Sequence, residues 1–165
     1  MKLIKTSILA MAFLCLLVSC SKDEDLLVNE QDMTEVSADL VLEDQFGAEI
    51  LAEINLYRES IGMADLKADT ESKVQALDHS KYMATKHAIS HDGFFQRSDY
   101  LKSKGAAEVS ENVAFGYNTA DQVVQAWLKS PSHKAALEGD FTHSGIAVVQ
   151  TETGVSYFTQ IFIKQ

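Results

Sequence analysis

Proline occurs once in this chain of 165 residues, at Pro131, and cysteine twice, at Cys15 and Cys20. So few cysteines, with Cys15 inside an apolar run and Cys20 at its end, exclude a disulfide framework as the source of stability. Basic residues are also scarce. Fourteen Lys and Arg stand against 24 Asp and Glu, a formal charge of −10, so the chain lacks the positive field that gathers phosphate backbones, and no nucleic-acid partner is expected. The apolar run Ile8 to Val18 stops at eleven residues, where a spanning helix needs about 20. What remains is ordinary globular material. The chain is 46% hydrophobic and 23% charged, which suits one domain of about 100–200 residues and argues against a wholly disordered protein.

Lys2 and Lys5 ahead of the apolar run read as a signal peptide over residues 1–19. The run ends in Leu17-Val18-Ser19-Cys20, a tetrapeptide that resembles the lipobox of bacterial lipoproteins, in which the cysteine becomes the acylated first residue. The plainer alternative is a leader with an accidental cysteine at its cleavage site. With several acyl chains on Cys20, at about 0.8 kcal/mol per buried methylene, the chain is expected to sit firmly on a membrane without spanning it. Cleavage before Cys20 removes two lysines and takes the charge from −10 to −12. Between Ser21 and Asp44 nine acidic residues meet one basic residue, Lys22, so residues 20–44 are expected to form a self-repelling tether. The run Ser21-Lys22-Asp23-Glu24-Asp25 looks like the surface-export signal of Bacteroidetes lipoproteins, which leads to the expectation of an outer-membrane lipoprotein facing outward. A spacer with no sorting information, leaving the domain on the periplasmic face, is the other reading.

The folded part is expected over residues 45–165. Phe46, Ile50, Ile54, Tyr57 and Ile61 draw one stripe on a first helix, ended by Gly62. A second helix is expected from about Glu71 to His87, capped by Asp69 or Thr70, with Val74, Leu77, Ala84 and Ala88 inward. Ser90-His91-Asp92-Gly93 then breaks the pattern. A third helix from about Ala120 to Lys129 carries Ala120, Val123, Val124, Trp127 and Leu128 on one side, opened by a capping box of Thr119 and Gln122. Strands are expected at Glu108 to Gly116, Ile146 to Gln150 and Val155 to Ile163, the last two joined by a loop short enough to require antiparallel pairing. In the last strand Tyr157, Ile161 and Ile163 oppose Phe158 and Phe162, so both faces need cover. The expected fold class is α+β, a three-layer α-β-α sandwich about a central antiparallel sheet.

Chemistry concentrates around two segments. Pro131 suits a first helical position, so a short helix begins there with Ser130 as its N-cap and His133 in its first turn. There the helix dipole disfavours a charged imidazole and keeps it neutral for ligation or hydrogen bonding, the alternative being an ordinary surface histidine. Glu111 shares the apolar row of Val109, Val113 and Phe115. A lone carboxylate there costs several kcal/mol unless a cationic or hydrogen-bonding partner meets it. The expected partners are among His79, His87, His91, His133 and His143. Of these, His79 reads as lying on an exposed helix face and His143 as lying in the turn before the penultimate strand. His87 and His91 stand four apart, but no zinc motif surrounds them.

Asn55-x-x-Arg58, Ser90-His91, Glu111-Asn112-Val113-Ala114-x-Gly116, Trp127-x-x-Ser130-x-x-His133 and Gly145-Ile146-Ala147-Val148 occur in the order of the CAP superfamily. These are the cysteine-rich secretory, antigen 5 and pathogenesis-related 1 proteins, also called SCP domains. The resemblance covers about Phe46 to Phe162 and is to the compact bacterial form without disulfides. It implies an α-β-α sandwich with a cavity lined by two histidines and two glutamates. His91 and His133 match the histidines and Glu111 matches one glutamate; Ser130 stands where the other glutamate falls. In the family the histidine pair is associated with a divalent metal in some members, others bind sterols or fatty acids, and no single activity unites the group.

Two readings follow. One is a binding module whose cavity of His91, Glu111, Ser130 and His133 holds zinc or another divalent metal, or a lipid, peptide or small polar ligand. The other is a hydrolase in which His91 and His133 hold a metal and Glu111 is the general base. A third possibility is that the cluster only ties sheet to helices.

Overall fold

A computed structural model describes residues 40–165. The expected signal peptide, Cys20 and most of the expected tether lie outside the described residues. The order of elements is β1 (Leu40–Leu42), α1 (Asp44–Ser60), β2 (Lys67–Ala68), α2 (Thr70–Lys86), α3 (Phe94–Ser103), β3 (Glu108–Phe115), α4 (Ala120–Lys129), α5 (Pro131–Leu137), β4 (His143–Thr151) and β5 (Ser156–Lys164). Folded structure thus begins inside the acidic stretch. Leu40–Leu42 pairs antiparallel with Val149–Thr151, and α1 starts at Asp44.

The strands run β1-β4-β5-β3, with β2 pairing in parallel beside the start of β4. The β4–β5 hairpin is antiparallel, with His143 opposite Ile163 and Gln150 opposite Ser156. Strand alternation sorts the core into two sides. Ala114, Ile146, Val148, Phe158 and Phe162 pack with Ile50 and Ile54 of α1, with Val123, Val124 and Trp127 of α4, and with Leu137 of α5. On the other face Ala147, Ile161 and Ile163 meet Ala76 of α2 and Leu101 of α3. Val113, Val149 and Tyr157 meet Met83 and Ala84 farther along α2. Because the side-chain period of a strand is two, residues next to each other in β5 serve opposite layers, and the three-layer sandwich follows.

The fit between layers is tight at Gly145. A Cβ there would lie 2.1 Å from the Lys73 backbone nitrogen, so the first turn of α2 rests directly on β4. Asp69 caps that turn by accepting from the Ser72 amide at 2.7 Å. At α4 the Thr119 hydroxyl accepts from the Gln122 amide at 3.3 Å, while the return arm from Gln122 reaches the Asn118 amide instead. Ser130 holds the N-cap position of α5 with Pro131 first in the helix, although its hydroxyl pairs with Ser132 rather than with the helix backbone.

Three expectations are corrected. On α1 the inward stripe is Gly47, Ile50, Ile54 and Arg58, whereas Ile61 caps the helix and is 45% exposed. Arg58 belongs inside because its guanidinium N–H groups meet carbonyls. Nε donates to Ala64 at 2.8 Å, Nη1 to Leu137 and Gly139 at 2.7 and 3.1 Å, and Nη2 to Phe141 at 3.3 Å. Asn55 makes reciprocal bonds with the Leu66 backbone at 2.9 and 3.0 Å. The Asn55-x-x-Arg58 pair is therefore a clamp on two loops. On α2 the buried face is Ser72, Ala76, His79, Ser80, Met83 and, as expected, Ala84, whereas Val74 points outward. At its first turn the helix touches Gly145 through the Ser72–Lys73 backbone, which leaves Ser72 facing the sheet; farther along, the Ser80 hydroxyl bonds the Ala147 carbonyl and Thr159. Finally, α3 was not anticipated. It opens without a side-chain cap behind Gly93, which sits in the left-handed region at φ 73°.

Candidate functional site

β3 is an edge of the sheet among the described strands and carries Glu111 on the α2–α3 side, next to Val113 in the same row. The Glu111 side chain is 1% exposed. Its partner is chiefly Arg97 of α3. Arg97 Nε donates to Oε2 at 2.9 Å, and Nη2 lies 2.9 Å from Oε1 and 2.7 Å from Oε2. This fork-to-fork pairing is among the strongest arrangements a carboxylate can take. The remaining nitrogen, Nη1, donates to the Asp92 carbonyl at 2.8 Å. The requirement that Glu111 find a cation is thus met, but by an arginine that sequence reading passed over. A usable signal existed: Phe94, Arg97 and Leu101 fall at helical spacing, which turns Arg97 toward the sheet.

His91 also meets Glu111, with Nδ1 2.8 Å from Oε1. Its side chain is 52% exposed. Since the carboxylate is ionised against Arg97, Nδ1 carries the proton in neutral His91 and Nε2 is left with a free lone pair. His79 is a correction. It is 3% exposed rather than solvated, with Nε2 2.8 Å from the Ser90 carbonyl and 3.9 Å from Glu111 Oε1. Burial, helped by the charges of Arg97 and His91, holds His79 below the usual histidine range against the opposing pull of Ser90 and Glu111. His79 is therefore neutral and donates from Nε2. His87 ends α2 in the left-handed region at φ 50°, exposed and apart from this cluster. His143 is the first residue of β4, with Nδ1 2.8 Å from the Thr142 hydroxyl.

His133 approaches from the other layer. Asn112, the neighbour of Glu111, donates to the His133 carbonyl at 3.1 Å, and Trp127 Nε1 donates to the Val113 carbonyl at 3.1 Å. These two bonds fasten α4 and α5 to the strand that bears Glu111. His133, Ser130, Trp127, Val113, Phe115 and Ile89 line a cleft of about 250 Å³. Burial lowers the basicity of His133, and the charge of a protonated His91 lowers it further. His91 and Glu111 meet on the α2–α3 side of β3, while His133 stands with Ser130 in the cleft where α4 and α5 reach that strand.

The donors left for a cation are few. Glu111 has both oxygens committed and His91 has Nδ1 committed, so His91 Nε2 and the His133 ring remain. Among the described residues no group of three or more His, Cys, Asp or Glu side chains is placed to hold a metal. Two imidazoles, each offering one ring nitrogen, fit a loosely held borderline metal such as zinc in a site with open positions, and do not fit a closed four-ligand site. Glu111 stands behind His91 as the group that sets its tautomer.

With this geometry in place, comparison with known proteins is decisive. The model of the CAP family, described as the cysteine-rich secretory protein family, matches residues 51–162. The chain belongs to that family. Among CAP relatives, the uncharacterized membrane protein YlbC of Bacillus subtilis is 32% identical over 122 residues, covering 71% of this chain and 34% of YlbC. The uncharacterized protein YkwD of the same organism is 34% identical over 114 residues, covering 66% of this chain and 43% of YkwD. The chain thus spans less than half the length of the curated relatives it matches. Among solved CAP-like structures, an outer surface protein of Borrelia burgdorferi superposes with a TM-score of 0.68 at 25% identity, covering 76% of this chain and 98% of that one. An extracellular SCP-domain protein of Bacillus anthracis gives 0.66 at 26% identity, covering 74% of this chain and 41% of its own. Bacterial CAP relatives at the cell surface or outside it point to a surface or secreted setting for this chain.

Proposed function

We propose that this CAP domain is a surface-displayed binding module, held to the outer membrane by lipid on Cys20, whose cleft at the edge of β3 takes a small ligand or a divalent cation through His91 Nε2 and His133. The observation that carries the reading is the commitment of Glu111. Both of its oxygens are bound by Arg97 and His91, and its side chain is 1% exposed. A general base must reach the proton it removes; a carboxylate sealed in this way is suited instead to orienting an imidazole. That supports binding over hydrolysis. The cleft adds apolar walls of Ile89, Phe115 and Trp127 to the His133 imidazole, a mixture typical of small-ligand sites.

Zinc alone is the probe. Titrated into the protein at about 100 times its dissociation constant, zinc is expected to add about 2.7 kcal/mol to unfolding stability. His91→Ala and His133→Ala each remove that gain. A melting temperature that zinc leaves unchanged in the wild type refutes the metal form of the reading. The anchor is tested separately: palmitate incorporation is expected in the wild type and lost in Cys20→Ala, and incorporation that persists in the variant removes Cys20 from the reading.

A further inference from the structure

His91 lies in the irregular segment between α2 and α3, where a half-exposed side chain would ordinarily be free to turn. Both of its neighbours are nevertheless tied to one helix. His79 Nε2 meets the Ser90 carbonyl at 2.8 Å, and one turn along α2 the Tyr82 hydroxyl donates to Asp92 Oδ2 at 2.9 Å. The two rings stack with centroids 5.9 Å apart and planes 14° from parallel. His79 and Tyr82 are three residues apart, so they share one face of α2 and act as one rigid surface against the loop. We propose that His79 and Tyr82 are positioning residues for His91, gripping the residue on each side so that its Nδ1 stays on Glu111 and its Nε2 stays free.

A buried histidine that merely filled the core would be matched by an apolar side chain. Here its polar atom is spent on the backbone carbonyl next to His91, and it passes by the Glu111 oxygen at 3.9 Å. Neutral His79 has a single Nε2 proton, and that proton goes to Ser90. The other anchors of the segment come from Arg97 at the Asp92 carbonyl and from the Phe94 amide at the His91 carbonyl, 3.0 Å apart. Those fix the exit toward α3, whereas His79 holds the Ser90 carbonyl on the entry side. Any role in ligand binding rests on the proposed function of His91, while the grip itself is measurable without ligand.

The test is the tautomer of His91, read from imidazole ¹⁵N–¹H correlations at about pH 8, where an ordinary histidine is neutral. In the wild type the proton is expected on Nδ1 alone. His79→Leu is expected to lose this single-tautomer signature. His79→Gln, whose side-chain N–H still reaches the Ser90 carbonyl, is expected to restore it. Tyr82→Phe changes a partly exposed residue by one hydroxyl and so keeps the fold. It is expected to mix the tautomers, which keeps the proposal falsifiable if His79→Leu does not fold. A wild-type tautomer retained in Tyr82→Phe, and in His79→Leu where that variant folds, overturns it. In parallel, zinc affinity is expected to fall about 10–100-fold in His79→Leu, as for other groups that orient a ligating histidine. If the wild type binds no zinc while the tautomer still responds, the metal form of the proposed function fails and the positioning role stands. If zinc binds and no variant alters the tautomer, the reverse holds.

Discussion

Replacing Arg97 with methionine leaves the Glu111 carboxylate buried with one partner in place of two. The side chains are 11% and 1% exposed, so water cannot take over the role of the guanidinium. Removing one member of such a pair typically costs about 3–5 kcal/mol. His91 still reaches Oε1 at 2.8 Å, which places the expected loss near the lower end, about 3 kcal/mol. For a domain of this size that corresponds to a fall of roughly 10 °C in melting temperature. The companion change Glu111→Leu removes the charge together with its need for a partner, so Arg97→Met with Glu111→Leu is expected to be no worse than Arg97→Met alone. The cycle then yields a coupling energy of at least about 2 kcal/mol. Urea unfolding followed by circular dichroism measures all four proteins. An Arg97→Met variant within about 0.5 kcal/mol of the wild type, or effects that simply add, would refute the claim that this arginine neutralises the buried carboxylate.

Stability should also depend on mild acid. Burial keeps His79 and His133 below the ordinary histidine value of 6.5, so the unfolded chain takes up protons first and the contribution, complete above about pH 6.5, is lost as pH falls below it. Unfolding free energies at pH 7 and pH 5 should therefore differ, by up to about 1.4 kcal/mol per pH unit for each proton taken up, and His79→Gln should flatten the slope; an unaltered slope in that variant removes His79 from the account. Gly145→Ala puts a methyl group 2.1 Å from the Lys73 nitrogen and should cost at least about 1–3 kcal/mol by chemical denaturation, whereas Gly154→Ala, in open space but at φ 80°, should cost about 1 kcal/mol through backbone strain alone. Ser130→Glu adds a carboxylate beside His133 in the cleft and should tighten zinc at least about tenfold in a calorimetric titration; equal or weaker binding would mean that Ser130 does not face the bound ion.

The sandwich was legible in the chain because strand alternation is a local signal. Tyr157, Ile161 and Ile163 against Phe158 and Phe162 already demand two covering layers, and the packed clusters divide along those lines. Pro131 likewise located the end of α4 near Ser130 and the start of α5, because backbone chemistry at proline is strictly local. Where periodicity misled, contact geometry was the reason. Val74 carries more apolar surface than Ser72 or Ser80, but α2 meets β4 at Ser72 over Gly145 and at Ser80 on the Ala147 carbonyl, and Val74 is left 48% exposed. Arg58 is buried only because the carbonyls of Leu137, Gly139 and Phe141 arrive from about eighty positions away.

The same division runs through the candidate site. That Glu111 needs a partner follows from its row of apolar neighbours, and the family order of His91, Glu111 and His133 is written along the chain. Which partner it takes is not. Arg97 lies fourteen residues away on a helix without a side-chain cap, and its guanidinium meets the carboxylate only because α3 folds back against β3. His79 became a buried anchor only when α2 was laid over the sheet. Alternation, turn chemistry and charge excess act over a few residues and so can be read one residue at a time. The choice of counter-charge for a buried acid is a long-range desolvation problem, and only the packed layers solve it.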